Sequence, residues 1–201
     1  ILKVKTFYDK YYGYIKNKKF KKKINATHKV KVLKTKIYKS KSYLPFSSQI
    51  EILERYKNYV RFEKNRWIKS KDICLINKKE KNFTRVLKLF LNSKYKWGGK
   101  TFNGIDCSAL IQLYYKYNNK FFPRDTIDQI KIKKGKIEKK NFVMGDIIFW
   151  KGHVAMCLNS KQLIHAYGPE KKVLIMPILK TIKRIEKTAK LKVKKISKIK
   201  I

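Results

Sequence analysis

The stretch WGGKTFNGIDCSALIQLYYKY runs from Trp97 to Tyr117 and changes character at its middle. Glycines crowd its first half. In its second half Leu110, Leu113, Tyr114 and Tyr117 recur at helical spacing, which predicts a helix from about Ser108 to Tyr117 with one apolar stripe. Cys107 stands on the border. Two readings of it are open. Free cysteine is among the most buried residue types, so Cys107 can be a small core residue. It can also be a nucleophile, because a helix N-terminus favours the thiolate and Asp106 is placed near the N-cap. The GGKTFNG run lets backbone approach a ligand closely. Trp97 is expected to pack beneath the glycine turn, the usual fate of a large aromatic.

Downstream, PRDTIDQI reads as a turn and a short helix. After MGD come three strand candidates, IIFW, HVAMCL and QLIHAY, and KVLIM is a fourth. Gly145 and Asp146 form the turn into the first of them. ILKTIKRIEK is amphipathic and helical in pattern, and KLKVKKISKIKI alternates like a last strand. Upstream, FTRVLKLFLN places Val86, Leu87, Phe90 and Leu91 on one helical face. Helices first and strands later make this part an α+β domain spanning 81–201.

A polar linker, NKKEKN, marks a change of regime near residue 80. Before it, HKVKVLKTKIY, SSQIEILERY, NYVRFEKN and RWIKSKDICLI alternate with period two and are broken by polar turns. That pattern predicts a small all-β barrel of short antiparallel strands over 25–80. YYGYIKNKKF, within residues 1–24, reads as the closing strand of a similar unit. The chain begins with Ile1 rather than Met, so an incomplete N-terminus is expected.

The three histidines sharpen the reading of Cys107. His153 opens HVAMCL and His165 lies in QLIHAY, twelve residues on, with NSK between the strands. An even separation puts both on one face if the strands form a hairpin. A hairpin centred on Asn159, its three-residue loop holding Asn or Ser in the left-handed conformation, sets them directly opposite each other. His165 can then fix the tautomer of His153, as the third member of a triad does. The alternative leaves His165 a half-buried strand residue. Cys107, His153 and His165 with water also make a legitimate zinc set, but no short-spaced ligand pair anchors it. His28 has no such company and is expected at the surface. Arg124 and Asp125 read as a local polar lock, and Cys157 as core.

The formal charge of +40 invites a nucleic-acid reading. Only six of the 53 basic residues are arginine, whereas phosphate and base readers favour the bidentate arginine fork. Lysine is spread evenly among many Ile and Asn, the pattern of an AT-rich coding sequence, so no nucleic-acid partner is expected. At 43% hydrophobic the chain can bury a core. No apolar run reaches the roughly 18 residues of a transmembrane helix. Cys74, Cys107 and Cys157 are odd in number and form no CxxC, which argues against a disulfide framework and fits a reducing compartment.

YKWGGKTFNGIDCSALIQLYY resembles the nucleophile motif of the NlpC family of papain-like cysteine peptidases. FPRDTIDQ, MGDIIFWKGHVAM and LIHA follow in that family's order. The similarity spans roughly 82–199, and the region before it is similar to the bacterial Src-homology-3-like barrels that often precede these peptidases. The resemblance implies a papain-like fold behind one such barrel (25–80), with 1–24 as the end of another. It implies hydrolysis of the bond between γ-D-glutamate and a diamino acid in peptidoglycan stem peptides or muropeptides, without metal or organic cofactor. Cys107 matches the nucleophile, His153 the base and His165 the third polar residue. Tyr95 matches a tyrosine near the oxyanion site, and Asp106 and Ser108 match positions lining the substrate cleft. Ala109 departs from the family's usual glycine, and its methyl either tightens helix packing or narrows the cleft. An amidase or acyl transferase on the same fold, or a non-catalytic wall- or RNA-binding module, are the alternatives. Cytoplasmic peptide recycling is the favoured location, with the periplasm or cell envelope as the alternative.

Overall fold

The computed structural model describes residues 1–17, 23–132, 134–137 and 141–199. The last three residues of YYGYIKNKKF (18–20) and the end of KLKVKKISKIKI (200–201) lie outside them. The chain divides into two compact units. One is residues 1–79 with Tyr117–Asn119, and the other is 80–116 with 120–201.

The first unit is built from short antiparallel strands. Strands β1 (Leu2–Lys5) and β2 (Tyr12–Ile15) form a two-stranded hairpin. Then come β3 (His28–Val30), β4 (Lys34–Lys36), β5 (Tyr43–Pro45), β6 (Gln49–Ile50), β7 (Glu54–Tyr56), β8 (Tyr59–Glu63), β9 (Arg66–Lys69) and β10 (Ile73–Leu75). They pair as β10-β3-β6, β4-β5 and β7-β8-β9. Period-two alternation turns Val30, Ile37, Ile50, Val60, Ile68 and Ile73 into one buried cluster. His28 is half-buried, with Nδ1 2.9 Å from the Thr27 hydroxyl.

The second unit begins with α1 (Phe83–Lys88), capped by Asn82 Oδ1 accepting from Arg85 N–H. Val86, Leu87 and Phe90 are buried as their spacing predicts, but Leu91 is exposed. The α-helix stops at Lys88 and tightens: Phe90 N–H bonds Leu87 O, and Leu91 N–H bonds Lys88 O. This i→i+3 winding rotates Leu91 off the apolar face.

A small ribbon, β11 (Lys100–Thr101) with β12 (Gly104–Ile105), leads into α2 (Cys107–Tyr117). The expected stripe of Leu110, Leu113, Tyr114 and Tyr117 is buried, yet so is every other residue of α2 except the half-buried Lys116. Ala109 is fully buried in this helix, so its methyl belongs to helix packing. The short α3 (Thr126–Ile132) follows.

A six-stranded antiparallel sheet completes the unit. Its strands are β13 (Gly135–Lys136), β14 (Asp146–Trp150), β15 (His153–Cys157), β16 (Gln162–Tyr167), β17 (Lys172–Pro177) and β18 (Lys195–Lys198), in the order β13-β18-β14-β15-β16-β17. Gly145 takes a positive φ of 85°, and the Asp146 carboxylate accepts from Val143 N–H, which makes the turn into β14. Between β17 and β18 runs α4 (Ile178–Ala189). Its Ile178 and Ile185 pack with Ile148, Trp150, Cys157, Leu163 and Tyr167, and Cys157 is core as expected. This is a mixed α/β unit in which the strands carry most of the regular structure.

Candidate active site

Cys107 is the first residue of α2 and Asp106 caps it, its Oδ1 accepting from Ala109 N–H at 2.8 Å. The same carboxylate accepts from Gly98 N–H, from the Ser108 hydroxyl and from both arms of Arg124, at 3.0 and 2.5 Å. Arg124 also donates to Ser108 Oγ at 2.8 Å. Asp106, Ser108 and Arg124 are each 5% exposed. Asp106 and Ser108 therefore spend their polar atoms on a frame beneath Cys107. Arg124 is the polar lock its motif suggested, and it locks the helix start. Asp125 acts at the backbone: its carbonyl accepts from Asp128 and Gln129 N–H as α3 begins. Gln129 is fully buried and donates to Ser108 O and Pro123 O, tying α3 to α2.

The glycine turn is held against this frame. A Cβ on Gly99 would sit 2.4 Å from the Gly104 carbonyl oxygen, so only glycine permits that approach. The same crowding overturns the expectation for Trp97. Backbone fills the space beneath the turn, and the indole is 85% exposed.

The thiol of Cys107 lies 6% exposed among three hydrogen-bonding groups: the Val154 and Ser108 N–H groups and the Thr126 hydroxyl. Burial pushes it up to about 11 all the same, and the Asp106 charge adds to the rise against those three bonds. The helix start alone suggests a lowered thiol; in the folded chain desolvation wins, and the resting group is a neutral thiol. Val154 is the residue after His153, so the thiol meets the chain where β15 begins. Tyr95 stands close by. Burial first, then Cys107 and Asp106, raise its phenol, which stays a neutral donor.

His153 and His165 come together: His153 Nε2 and His165 Nδ1 are 2.9 Å apart. The register differs from the expected one. Met156 pairs with Ile164 and Cys157 with Leu163, which centres the hairpin on Ser160 rather than Asn159. His153 therefore meets His165 diagonally. The loop has three residues, but none of them takes a positive φ. Asn159 Oδ1 closes it instead, accepting from Lys161 and Gln162 N–H at 2.8 and 2.7 Å. Same-face placement survives because it depends only on the even separation.

Burial takes His153 down to about 4. His165, fully buried, goes down to about 2 through burial, then His153, then the Arg184 charge. Both rings are neutral at neutral pH. Tyr167 stacks on His165 with centroids 4.6 Å apart, and Arg184 lies over Tyr167 while pairing with Glu170 at 2.7 Å. Among the described residues no group of three His, Cys, Asp or Glu is arranged to hold a metal ion. Thr126 and the Val154 amide were invisible to motif reading, since neither residue type marks a site by itself.

Comparison with known proteins bears on the second unit. Residues 92–188 match the model of the NlpC/P60 family. The chain is 33% identical over 87 residues to the dipeptidyl-peptidase 6 of Lysinibacillus sphaericus, covering 42% of this chain and 31% of that one. It is 32% identical over 101 residues to the gamma-D-glutamyl-L-lysine dipeptidyl-peptidase of Bacillus subtilis (strain 168), covering 46% and 34%. The match thus spans about a third of the length of these relatives. Among solved structures, an NlpC/P60 family protein from Bacillus cereus superposes with a TM-score of 0.64 at 24% identity, over 76% of this chain and 58% of that one. That likeness supports the papain-like mixed fold. The chain therefore carries an NlpC/P60 domain over residues 92–188.

Proposed function

We propose that the protein is a cysteine peptidase that hydrolyses the amide between γ-D-glutamate and a diamino acid in peptidoglycan stem peptides or muropeptides. The observation that carries this reading is a buried thiol at a helix start that meets the backbone N–H of Val154, the residue after His153, whose neutral ring pairs with His165. Relatives named gamma-D-glutamyl-L-lysine dipeptidyl-peptidase supply the substrate class.

In this mechanism His153 Nδ1 takes the proton of the Cys107 thiol, since Nε2 is committed to His165. A neutral thiol and a neutral base suit proton transfer during attack. The sulfur bonds the γ-glutamyl carbonyl carbon, and the Val154 and Ser108 N–H groups and the Thr126 hydroxyl stabilise the charge on sulfur as it develops. The Cys107 N–H and the Tyr95 phenol receive the oxyanion. The C–N bond breaks, and His153 returns its proton to the leaving amine. Water then attacks the thioester, losing a proton to His153; the acid departs and Cys107 recovers its proton. Asp106, Ser108 and Arg124 keep the helix start rigid. A charge of +40 draws in substrates with several carboxylates, within the reach that salt allows.

We infer the remaining organisation from the strand pattern and from cysteines that form no disulfide. Residues 25–80 form a Src-homology-3-like barrel after the end of another at 1–24, with the catalytic domain from 81 to 201. Cys74, Cys107 and Cys157 are not joined by disulfides, in keeping with work on released peptides in the cytoplasm. The test is hydrolysis of a γ-D-glutamyl-diamino acid peptide by the full chain and by Cys107→Ala. Turnover falling about a thousandfold or more supports the reading. Unchanged turnover in Cys107→Ala refutes it.

A further inference from the structure

The basicity of His153 turns on which ring nitrogen carries its proton. Two neutral imidazoles joined by one hydrogen bond can be arranged in two ways. If His153 Nε2–H donates to His165 Nδ1, then His153 Nδ1 keeps its lone pair and can accept the thiol proton. If His165 Nδ1–H donates instead, His153 carries its hydrogen on Nδ1 and is no base toward Cys107. The distance of 2.9 Å between the rings fits either arrangement.

The choice is made one strand further on. His165 Nε2 lies 3.4 Å from Met176 Sδ. A thioether sulfur has lone pairs and no hydrogen, so it accepts and cannot donate. We propose that Met176 is a positioning residue: its sulfur accepts the Nε2–H of His165 and thereby fixes His153 as the Nε2–H tautomer with Nδ1 free. The inference rests on the reading of His153 as the base of the reaction. In the opposite arrangement the Nε2 lone pair of His165 would face the sulfur lone pairs, and a buried N–H···S bond would be lost.

The sheet builds this chain of contacts. His165 pairs with Leu174 and Leu163 with Met176, so Met176 is the diagonal neighbour of His165 on the same face. His153, His165 and Met176 thus step across β15, β16 and β17. Tyr167 stacked on His165 holds the ring plane that aims Nε2 at the sulfur. Neutrality is needed as well, because a doubly protonated His165 would donate through both nitrogens and force the wrong tautomer on His153. Burial, His153 and the Arg184 charge all oppose that protonation.

The experiment uses the full chain labelled with 15N-histidine, without substrate, and long-range proton–nitrogen spectra at neutral pH. The wild type is expected to carry hydrogen on Nε2 of both His153 and His165. Met176→Leu, close in volume, is expected to give mixed tautomers at both rings. Its kcat on the γ-D-glutamyl peptide should fall about fivefold at unchanged KM. Met176→Gln, whose side-chain carbonyl is again an acceptor, should restore both. A wild-type spectrum with hydrogen on His165 Nδ1 overturns the proposal. So does a Met176→Leu spectrum identical to wild type, or a Met176→Gln spectrum as mixed as that of Met176→Leu. Failure of the wild type to cleave the peptide would refute the peptidase reading alone, because the tautomer readout needs no turnover.

Discussion

Asp106 beneath Cys107 and His165 beside His153 occupy matching places, each a buried polar side chain behind a residue of the proposed site, yet they hold their neighbours by opposite means. Asp106 sits in a frame of charge, taking bonds from Arg124, Ser108, Ala109 and Gly98. A carboxylate only accepts, so this frame has one polarity and no hydrogen to misplace. His165 sits in a chain of neutral groups running from His153 to Met176. Each link there can run in either direction, and the chemistry depends on which. The charged frame is costly to break and indifferent to proton position. The neutral chain is cheap to break and sensitive to it. In the proposed mechanism, nucleophile position and base direction are in this sense separate problems, solved on separate elements, the start of α2 and the β15–β17 strands.

The largest effect should come from breaking the charged frame. Arg124→Met leaves the Asp106 carboxylate buried, with the guanidinium gone. Loss of one partner of a buried pair costs about 3–5 kcal/mol, read as a lowered midpoint in denaturant unfolding. Adding Asp106→Asn removes the stranded charge and keeps an oxygen for Ala109 N–H. The double variant should therefore recover part of the loss. A double variant no more stable than Arg124→Met would mean that the frame acts through packing, and the contrast with the neutral chain would fall.

That contrast is also a guide to what sequence reading could reach. The even spacing of His153 and His165 survives a shift of the hairpin centre, because parity alone fixes the face. The centre itself depended on Asn159 Oδ1 bonding two backbone N–H groups, a side-chain choice with no periodic trace. Cys107 was legible as the first residue after a glycine turn. The burial that raises its thiol was not, because desolvation is a property of everything packed around it. Trp97 misled for a local reason: the close approach of Gly99 to Gly104 leaves no room for an indole beneath the turn. Leu91 misled because a helix that tightens in its last turn abandons the period on which the stripe was counted. Strands β14 to β17 were legible because buried apolar runs bounded by turns survive any register error.

A smaller effect should appear on the neutral side as acid sensitivity. The folded chain holds His153 and His165 below the ordinary histidine value of 6.5, so the unfolded chain binds more protons as pH falls beneath it. Their stabilising contribution is complete above pH 6.5 and is lost progressively as pH drops, toward 4 for His153 and toward about 2 for His165. Each histidine held neutral costs up to about 1.4 kcal/mol per pH unit in that window. His165→Leu removes one of the two while leaving the carboxylates and His28 unchanged. The difference between wild type and His165→Leu in melting temperature should therefore narrow or reverse in favour of the variant between pH 7 and pH 4.5. A difference that stays constant across that range would show that His165 is not held neutral by the fold.

The smallest effect tests the point where the two regions meet at the thiol. Thr126 starts α3, 7% exposed, and its hydroxyl bonds the sulfur of Cys107. Among the groups that lower the thiol it is the one side chain; the others are backbone N–H groups of Val154 and Ser108, which substitution cannot remove. Thr126→Val keeps the shape and deletes the hydroxyl. The thiol should then titrate higher still, and alkylation of Cys107 by iodoacetamide, followed on its own peptide, should need a higher pH. The lost bond to a developing thiolate amounts to about 1–2 kcal/mol, or roughly a tenfold lower kcat/KM. Thr126→Ser should restore both readings. If Thr126→Val alkylates with the wild-type profile, the hydroxyl bonds the resting thiol without stabilising the thiolate. Control of the sulfur would then fall to the backbone of α2 and β15 alone.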